Sequence, residues 1–402
     1  MAGGWRHELA GLTRALRSRV RGGARRIARR LGGDDPYQIV IYRGHGGSGR
    51  VFVHGRVLEN EGITPAADAD STWRNIVNTF KRLESDPLPF ARVRVRLAGD
   101  ERELVADDEG FFAGWLETRA VLGDRLWHPL DADLVAPAIS GQSAVRGQGL
   151  ALVPPTAASF GVISDLDDTV IQSHVTSFLR AARTLLTENA RTRLPFPGVA
   201  GFYQALNLGA RDTPTNPIYY VSSSPWNLYD LLEDFLELQG IPAGPLLLRD
   251  WDLGRSAATG GHHAHKIALI RNLLALHPRL PFILIGDSGQ HDPEIYRDIV
   301  HEHPGRILAV YIRNVSRGTD RTAAIRALAD EVVAARSSLV LADDTLAAAR
   351  HAAEHGWIPA SALRLVTAEK KADEGVTGAK ADAPGLPGPG DATRTVVVEG
   401  TE

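Results

Sequence analysis

Four apolar runs, at 160–163, 218–221, 282–285 and 307–312, alternate with segments whose apolar residues recur at helical period. Runs that short and that uniformly apolar read as strands buried on both faces, and their alternation with helices requires crossovers back onto one sheet. The pattern predicts an α/β domain over 157–370 with a mostly parallel sheet. In such sheets ligands collect at the carboxyl ends of the strands, so the residues that follow each run carry the functional information.

The first run leads into Asp165-Leu166-Asp167-Asp168-Thr169. Alternation along an extended chain aims Asp165 and Asp167 the same way, and two convergent carboxylates repel each other unless a cation lies between them. A solvated acidic turn is the plain alternative when this cluster is taken alone. The third run, however, ends in Gly286-Asp287-Ser288-Gly289-Gln290-His291-Asp292, a second acidic group at a second strand end. Glycine permits a tight turn there, and Asp287 and Asp292 can complete an all-oxygen magnesium site.

The second run ends in Ser222-Ser223-Ser224-Pro225. Pro225 suits the first position of a following helix and Ser224 its cap, which leaves Ser222 or Ser223 to hydrogen-bond a phosphate. Without the acidic clusters all three serines would read as turn and cap residues. Lys266 opens an apolar-periodic segment, 266–276, where a cation opposes the helix dipole unless an anion such as phosphate faces it.

The order Asp-x-Asp-x-Thr, Ser, Lys, Gly-Asp-x-x-x-x-Asp resembles the four motifs of the haloacid dehalogenase superfamily, whose fold is a Rossmann-like α/β domain. More narrowly, GVISDLDDT at 161–169, YVSSSPWNLY at 220–229, LRDW at 248–251 and LIGDSGQHDPEIY at 284–296 are similar to the actin-patch-associated phosphatidate phosphatase family and its bacterial relatives, over 160–314. The resemblance implies a magnesium-dependent phosphatase that hydrolyses a phosphomonoester, phosphatidate or a related lipid phosphate. It implies Asp165 as the nucleophile that becomes an aspartyl-phosphate, and Asp167 as the acid for the leaving oxygen and then the base for water. Magnesium would take the Asp165 carboxylate, the Asp167 main-chain carbonyl and Asp287, while Asp292 orients metal-bound water or Lys266. Ser222 and Lys266 would bind phosphoryl oxygens, and Thr169 would brace the first loop. Arg249 and Asp250 match the family segment without a role that chemistry assigns.

Other features carry less. His262, His263 and His265 lie beside Lys266 in a Gly-rich stretch without a convincing set of further ligands, and read as loop histidines. Trp226 and Tyr229 could grip an acyl chain, but aromatics at that spacing are better explained by helix packing. Ser173-His174 lacks the strained Gly-x-Ser-x-Gly elbow of a serine hydrolase.

Ahead of the α/β pattern, 36–156 is β-like: short alternating runs at 38–42, 50–57, 91–97 and 111–116 are divided by Gly, Asp and Pro, with a helical insertion over 71–83. A small β-rich sandwich or barrel is predicted, and GHGGSG at 44–49, lacking the Gly-Lys-Ser/Thr ending of a P-loop, reads as a hairpin turn. Residues 1–35 carry Trp5, Leu9, Leu12, Leu16, Val20, Ile27 and Leu31 at helical spacing among nine arginines, with Glu8 the only acid in the first 31 residues. Such a basic amphipathic segment either lies on an anionic membrane surface or packs on the protein body. Beyond 371 the chain is Gly, Pro, Ala and charge without periodicity, and reads as a disordered tail.

A formal charge of −3 gives no global attraction to nucleic acid, and none is expected as a partner. The absence of cysteine excludes disulfides, thiolate metal sites and cysteine nucleophiles. No run approaches the ~18 apolar residues of a membrane span, and 1–31 lacks the apolar core of a secretory signal. The expectation is a cytoplasmic enzyme, peripheral on the membrane if its basic segment docks there. A phosphatase for soluble phosphoesters and a membrane-surface or partner-binding scaffold are the competing functions.

Overall fold

The computed structural model describes residues 36–47, 49–60, 86–139, 142, 144–166, 169–170, 196–249, 261–315, 319–381 and 396–398. The basic segment at 1–35 and the helical insertion expected at 71–83 lie outside the described residues.

The first half forms one eight-stranded sheet from β1 (Tyr37–Ile41), β2 (Gly44–Gly47), β3 (Arg50–Glu59), β4 (Arg92–Leu97), β5 (Asp100–Val105), β6 (Phe111–Glu117), β7 (Trp127–Ala136) and β8 (Arg146–Leu152). The hydrogen-bonded order is β1-β3-β2-β8-β7-β4-β5, with β6 also on β3. Strand β4 shows why it forms: its Val93, Val95 and Leu97 are buried while Arg92, Arg94 and Arg96 point outward. Arg92 pairs with Glu103 across the strand at 2.5 Å and Arg96 with Asp133 at 2.5 Å, so the outer face is a ladder of opposite charges. Ala98 (φ 50) and Gly99 (φ 93) make the left-handed reversal that a two-residue β4–β5 hairpin demands.

GHGGSG is more than a turn. Gly44–Gly47 is strand β2, and the reversal lies between the paired Gly47 and Arg50. Glycine is required because β2 is squeezed: a Cβ on Gly44 would sit 2.5 Å from Phe52 O, and one on Gly47 would sit 2.6 Å from Leu276 O.

The second half is a seven-stranded sheet of β9 (Gly161–Asp165), β10 (Ile218–Pro225), β11 (Leu246–Arg249), β12 (Phe282–Asp287), β13 (Ile307–Arg313), β14 (Ser338–Ala342) and β15 (Val396–Val398). Its order is β11-β10-β9-β12-β13-β14-β15, parallel throughout except for β15. Alternate strand residues enter separate cores. Val162, Tyr220, Ile283 and Tyr311 meet α1 (Val199–Leu208) and α2 (Tyr229–Leu238) on one face. Ile163, Tyr219, Leu284 and Val310 meet α3 (Gly261–Leu276), α4 (Asp292–Glu302) and α5 (Thr319–Ala334) on the other. Burial on both faces is what turns these strands into unbroken apolar runs.

After β14, α6 (Thr345–Glu354) and α7 (Ala362–Ala381) complete the first face. The tail expected from 371 is therefore corrected in two places: α7 continues to Ala381, and Val396–Val398 adds an antiparallel edge to β14. The apolar face of this helix is confined to its start, where Val366 is buried and Ala362 and Leu363 pack on the core; further along, Glu369 and Asp373 accept from Gly201 N–H and Gly198 N–H.

Candidate active site

Strand order reverses direction between β9 and β12: the chain steps outward through β10 and β11 on one side, and through β13 and β14 on the other. The crossovers on either side diverge there and leave a crevice at the strand ends. Asp165 ends β9 and Asp287 ends β12, so the two acidic motifs meet in that crevice. Asp292 opens α4, where a carboxylate suits the helix dipole and Pro293 suits the first turn. Carboxylate oxygens of Asp165, Asp287 and Asp292 lie within 4.8 Å of one another, and all three residues are buried.

Lys266 enters this group from α3. Its Nζ donates to Asp165 Oδ1 at 2.8 Å and to Asp292 Oδ1 at 2.5 Å, with its side chain 5% exposed. Burial pulls the ammonium pKa down, but the two carboxylates outweigh burial and hold it above the ordinary lysine value, so it stays charged. Thr169 Oγ1 donates to Asp165 Oδ2 at 3.4 Å. Behind Asp165, Ser164 Oγ donates to Asp165 O at 2.7 Å and pairs with Tyr203 Oη at 2.6 Å, fixing the end of β9 to α1.

Asp287 is held from one side only. Its Oδ1 accepts the N–H groups of Gly289 at 2.6 Å and Gln290 at 3.0 Å, and its own N–H donates to Asp292 Oδ2 at 3.2 Å. Its Oδ2 is buried with no hydrogen-bond partner among the described residues. Burial, then repulsion from Asp292, pushes its pKa up to about 7, against the two N–H groups and Lys266. An unpartnered buried carboxylate oxygen beside two more carboxylates is what a hard cation with oxygen ligands would satisfy, and the donor set fits magnesium.

Ser222 is buried at the end of β10, and its Oγ accepts Ser224 N–H at 2.9 Å, a bond that uses a lone pair and not the hydroxyl proton. The expectation that Ser224 caps and Pro225 opens a helix is not met. Strand β10 runs to Pro225, a short 3-10 turn spans Trp226–Leu228, and α2 starts at Tyr229 with Leu228 as an N-cap that lacks a side-chain bond. The serine loop is tied down by its own hydroxyl.

The structure thus brings together Asp165, Asp287, Asp292, Lys266 and Thr169, with Ser222 on the adjacent strand end. Asp167 and Asp168 lie outside the described residues, as do Asp250 and Ser173-His174. Arg249 closes β11 opposite Pro225. The histidines beside Lys266 are in a helix, not a loop, because α3 begins at Gly261; His263 faces the His291 ring at 6.1 Å. Trp226 and Tyr229 stack at 5.6 Å and pack against Tyr42 and His54 of the first sheet, so they join the two halves of the chain. Sequence reasoning missed Tyr203 and Arg321; neither sits in a motif, and only the folded chain brings them to the strand ends.

Fold and site define an α/β domain with a lysine-bridged carboxylate cluster at the crevice of its parallel sheet. Residues 160–314 match the family model described as phosphatidate phosphatase APP1, catalytic domain. Phosphatidate phosphatase APP1 of Saccharomyces cerevisiae is 34% identical over 155 residues, 38% of this chain and 25% of that protein. An uncharacterized protein of Schizosaccharomyces pombe is 29% identical over 158 residues, again 38% of this chain and 25% of the relative. The aligned part spans about a quarter of the length of these curated relatives. Among solved structures, a carbohydrate acetylesterase from Xanthomonas citri covers 75% of this chain and 74% of its own at 13% identity, with a TM-score of 0.24, a likeness too slight to bear on fold or function.

Proposed function

We propose that this chain is a magnesium-dependent phosphatase that hydrolyses a phosphomonoester, phosphatidate or a related lipid phosphate, through an aspartyl-phosphate on Asp165. The observation that carries the reading is the convergence of Asp165, Asp287 and Asp292 around Lys266, with Asp287 Oδ2 left without a partner among the described residues. The phosphatidate specificity is supported by the family match over 160–314 and by the likeness to the yeast phosphatidate phosphatase APP1.

Asp165, Asp287 and the Asp167 main-chain carbonyl would hold magnesium, which shields the nucleophile from the charge of the phosphate. The Asp165 carboxylate attacks phosphorus as the bond from phosphorus to the leaving alcohol breaks, and Asp167 gives that oxygen its proton. Water then attacks phosphorus, Asp167 takes the water proton, and the bond to Asp165 breaks to release inorganic phosphate. Lys266, held charged by Asp165 and Asp292, and the Ser222 hydroxyl stabilise the phosphoryl oxygens. Thr169 and Ser164 hold the attacking carboxylate and its backbone. The basic segment at 1–35 would bring the enzyme to anionic bilayers.

The test is magnesium-dependent phosphate release from phosphatidate vesicles, lysophosphatidate and soluble phosphoesters, with Asp165→Asn as the control. We expect lipid phosphates to be preferred and the control to lose about 10⁴-fold or more, since an amide cannot form the phosphoenzyme. Preference for soluble esters would overturn the lipid assignment alone. Near wild-type turnover by the control would overturn the mechanism.

A further inference from the structure

We propose that Arg321, which no step above uses, is a positioning residue for the cation site: its guanidinium fixes the peptide that aims Asp287, so losing it weakens magnesium binding without removing a ligand. The inference rests on the magnesium reading of the preceding subsection. Arg321 lies in the first turn of α5, where a cation opposes the helix dipole, so the helix itself gives no reason for an arginine there. Its contacts do. Nε donates to Ser288 O at 2.8 Å, Nη2 donates to Gln290 O at 2.6 Å, and Nη1 and Nη2 clasp the Glu294 carboxylate, with Nη2 to Oε2 at 3.0 Å.

Ser288 C=O and Gly289 N–H belong to one planar peptide and point in opposite directions. By holding Ser288 O on the α5 side, Arg321 turns Gly289 N–H toward Asp287 Oδ1, which it meets at 2.6 Å. Gln290 is held across two successive peptides, its N–H by Asp287 Oδ1 and its carbonyl by Arg321. With Oδ1 engaged twice, the rotation of the carboxylate is set, and Oδ2 is the oxygen left over for a cation held with Asp165 and Asp292. Glu294 extends the brace to the first turn of α4, two residues past Asp292. One planar fork thus ties the loop, Asp287 and the helix that carries Asp292; a lysine ammonium has the charge but not the span to do so.

Charge and position predict opposite signs, which makes the idea testable. The positive charge of Arg321 acts on Asp287 and Asp292, so charge alone would make its removal tighten cation binding. A positioning role makes removal loosen it. Calorimetric titration of the full chain with magnesium chloride should show at least about tenfold weaker binding for both Arg321→Ala and Arg321→Lys, the range typical of groups that orient metal ligands. Turnover of both variants should recover toward the wild-type kcat at saturating magnesium. Unchanged or tighter magnesium binding by Arg321→Ala, or wild-type binding by Arg321→Lys, overturns the proposal. If neither variant folds, Arg321→Gln decides, since it too removes the positive charge: weaker magnesium binding supports the brace, and unchanged or tighter binding overturns it. Wild-type protein that takes up no magnesium overturns the cation reading itself and this inference with it.

Discussion

Lys266 is where burial and charge compete most directly. Its ammonium is enclosed with Asp165 and Asp292, and what burial of these groups costs is offset by their mutual pairing. Replacing it by methionine preserves most of the volume but leaves three clustered carboxylates without their cation, and removal of one partner from a buried pair costs about 3–5 kcal/mol. Lys266→Met should therefore show a urea midpoint well below wild type while keeping a folded circular-dichroism spectrum in water. Magnesium should raise the midpoint of the variant more than that of the wild type, because the cation answers the charge that the lysine left behind. An unchanged midpoint would mean that the carboxylates are solvated and that Lys266 does not organise the site. Lys266 could be singled out from the sequence by its order among the motifs, although the dipole argument placed it in the wrong turn: α3 starts at Gly261, five residues earlier, through a Gly- and His-rich stretch with no apolar period to announce it.

Elements were legible where burial left a pattern. Strands β9, β10, β12 and β13 are apolar on both faces and appear as runs in the sequence, whereas β5, with Glu101 and Glu103 facing outward to meet the β4 arginines, reads as a charged loop. Helix α7 was hidden for a related reason, since beyond Val366 it is held by polar contacts to distant residues. The N-cap of α1, Gly198, has φ 76 and no side-chain bond of its own, so the first amides of α1 need partners from elsewhere. Asp373 accepts Gly198 N–H at 2.9 Å and Glu369 accepts Gly201 N–H, while Lys370 between them pairs at 2.5 Å with Asp344, the N-cap of α6. One turn of α7 thereby secures the starts of two helices. The double variant Glu369→Ala/Asp373→Ala should lose about 2 kcal/mol in chemical denaturation, the combined effect of two caps near a helix dipole. Stability equal to wild type would show that water replaces these carboxylates at no cost. Nothing in the sequence from 369 to 373 reveals this, because the amides it serves lie some 170 residues earlier.

The two halves of the chain are joined by more than a linker. Tyr42, from the first sheet, sits in the core of the α/β half, Leu126 and Leu152 sit in its other core, and Arg43 N–H donates to Tyr229 Oη at 2.8 Å while its guanidinium pairs with Glu233 at 3.1 Å. His54 lies in this seam, 4.6 Å from the Trp226 ring and beside Tyr42, Phe52 and Tyr229. Burial, and then the neighbouring His45, lowers its pKa to about 3, only partly offset by the hydrogen bond to Arg43 O. Burial also lowers His45 and His351 to about 4 and His277 to about 3. Because these folded values lie below the unfolded histidine value of about 6.5, the unfolded chain binds more protons as acid is added. The stability they allow is fully present above about pH 6.5 and is lost as pH falls toward 4 and below. His54 alone should contribute on the order of 3 kcal/mol of that loss by pH 4. His54→Phe keeps an aromatic ring in the stack and removes the proton site, so its melting temperature should match wild type closely at pH 7 yet fall less steeply between pH 6.5 and 4. Parallel pH profiles for the two proteins would place His54 in solvent in the folded state, and the seam between the sheet and the catalytic half would then have to be open enough to admit water.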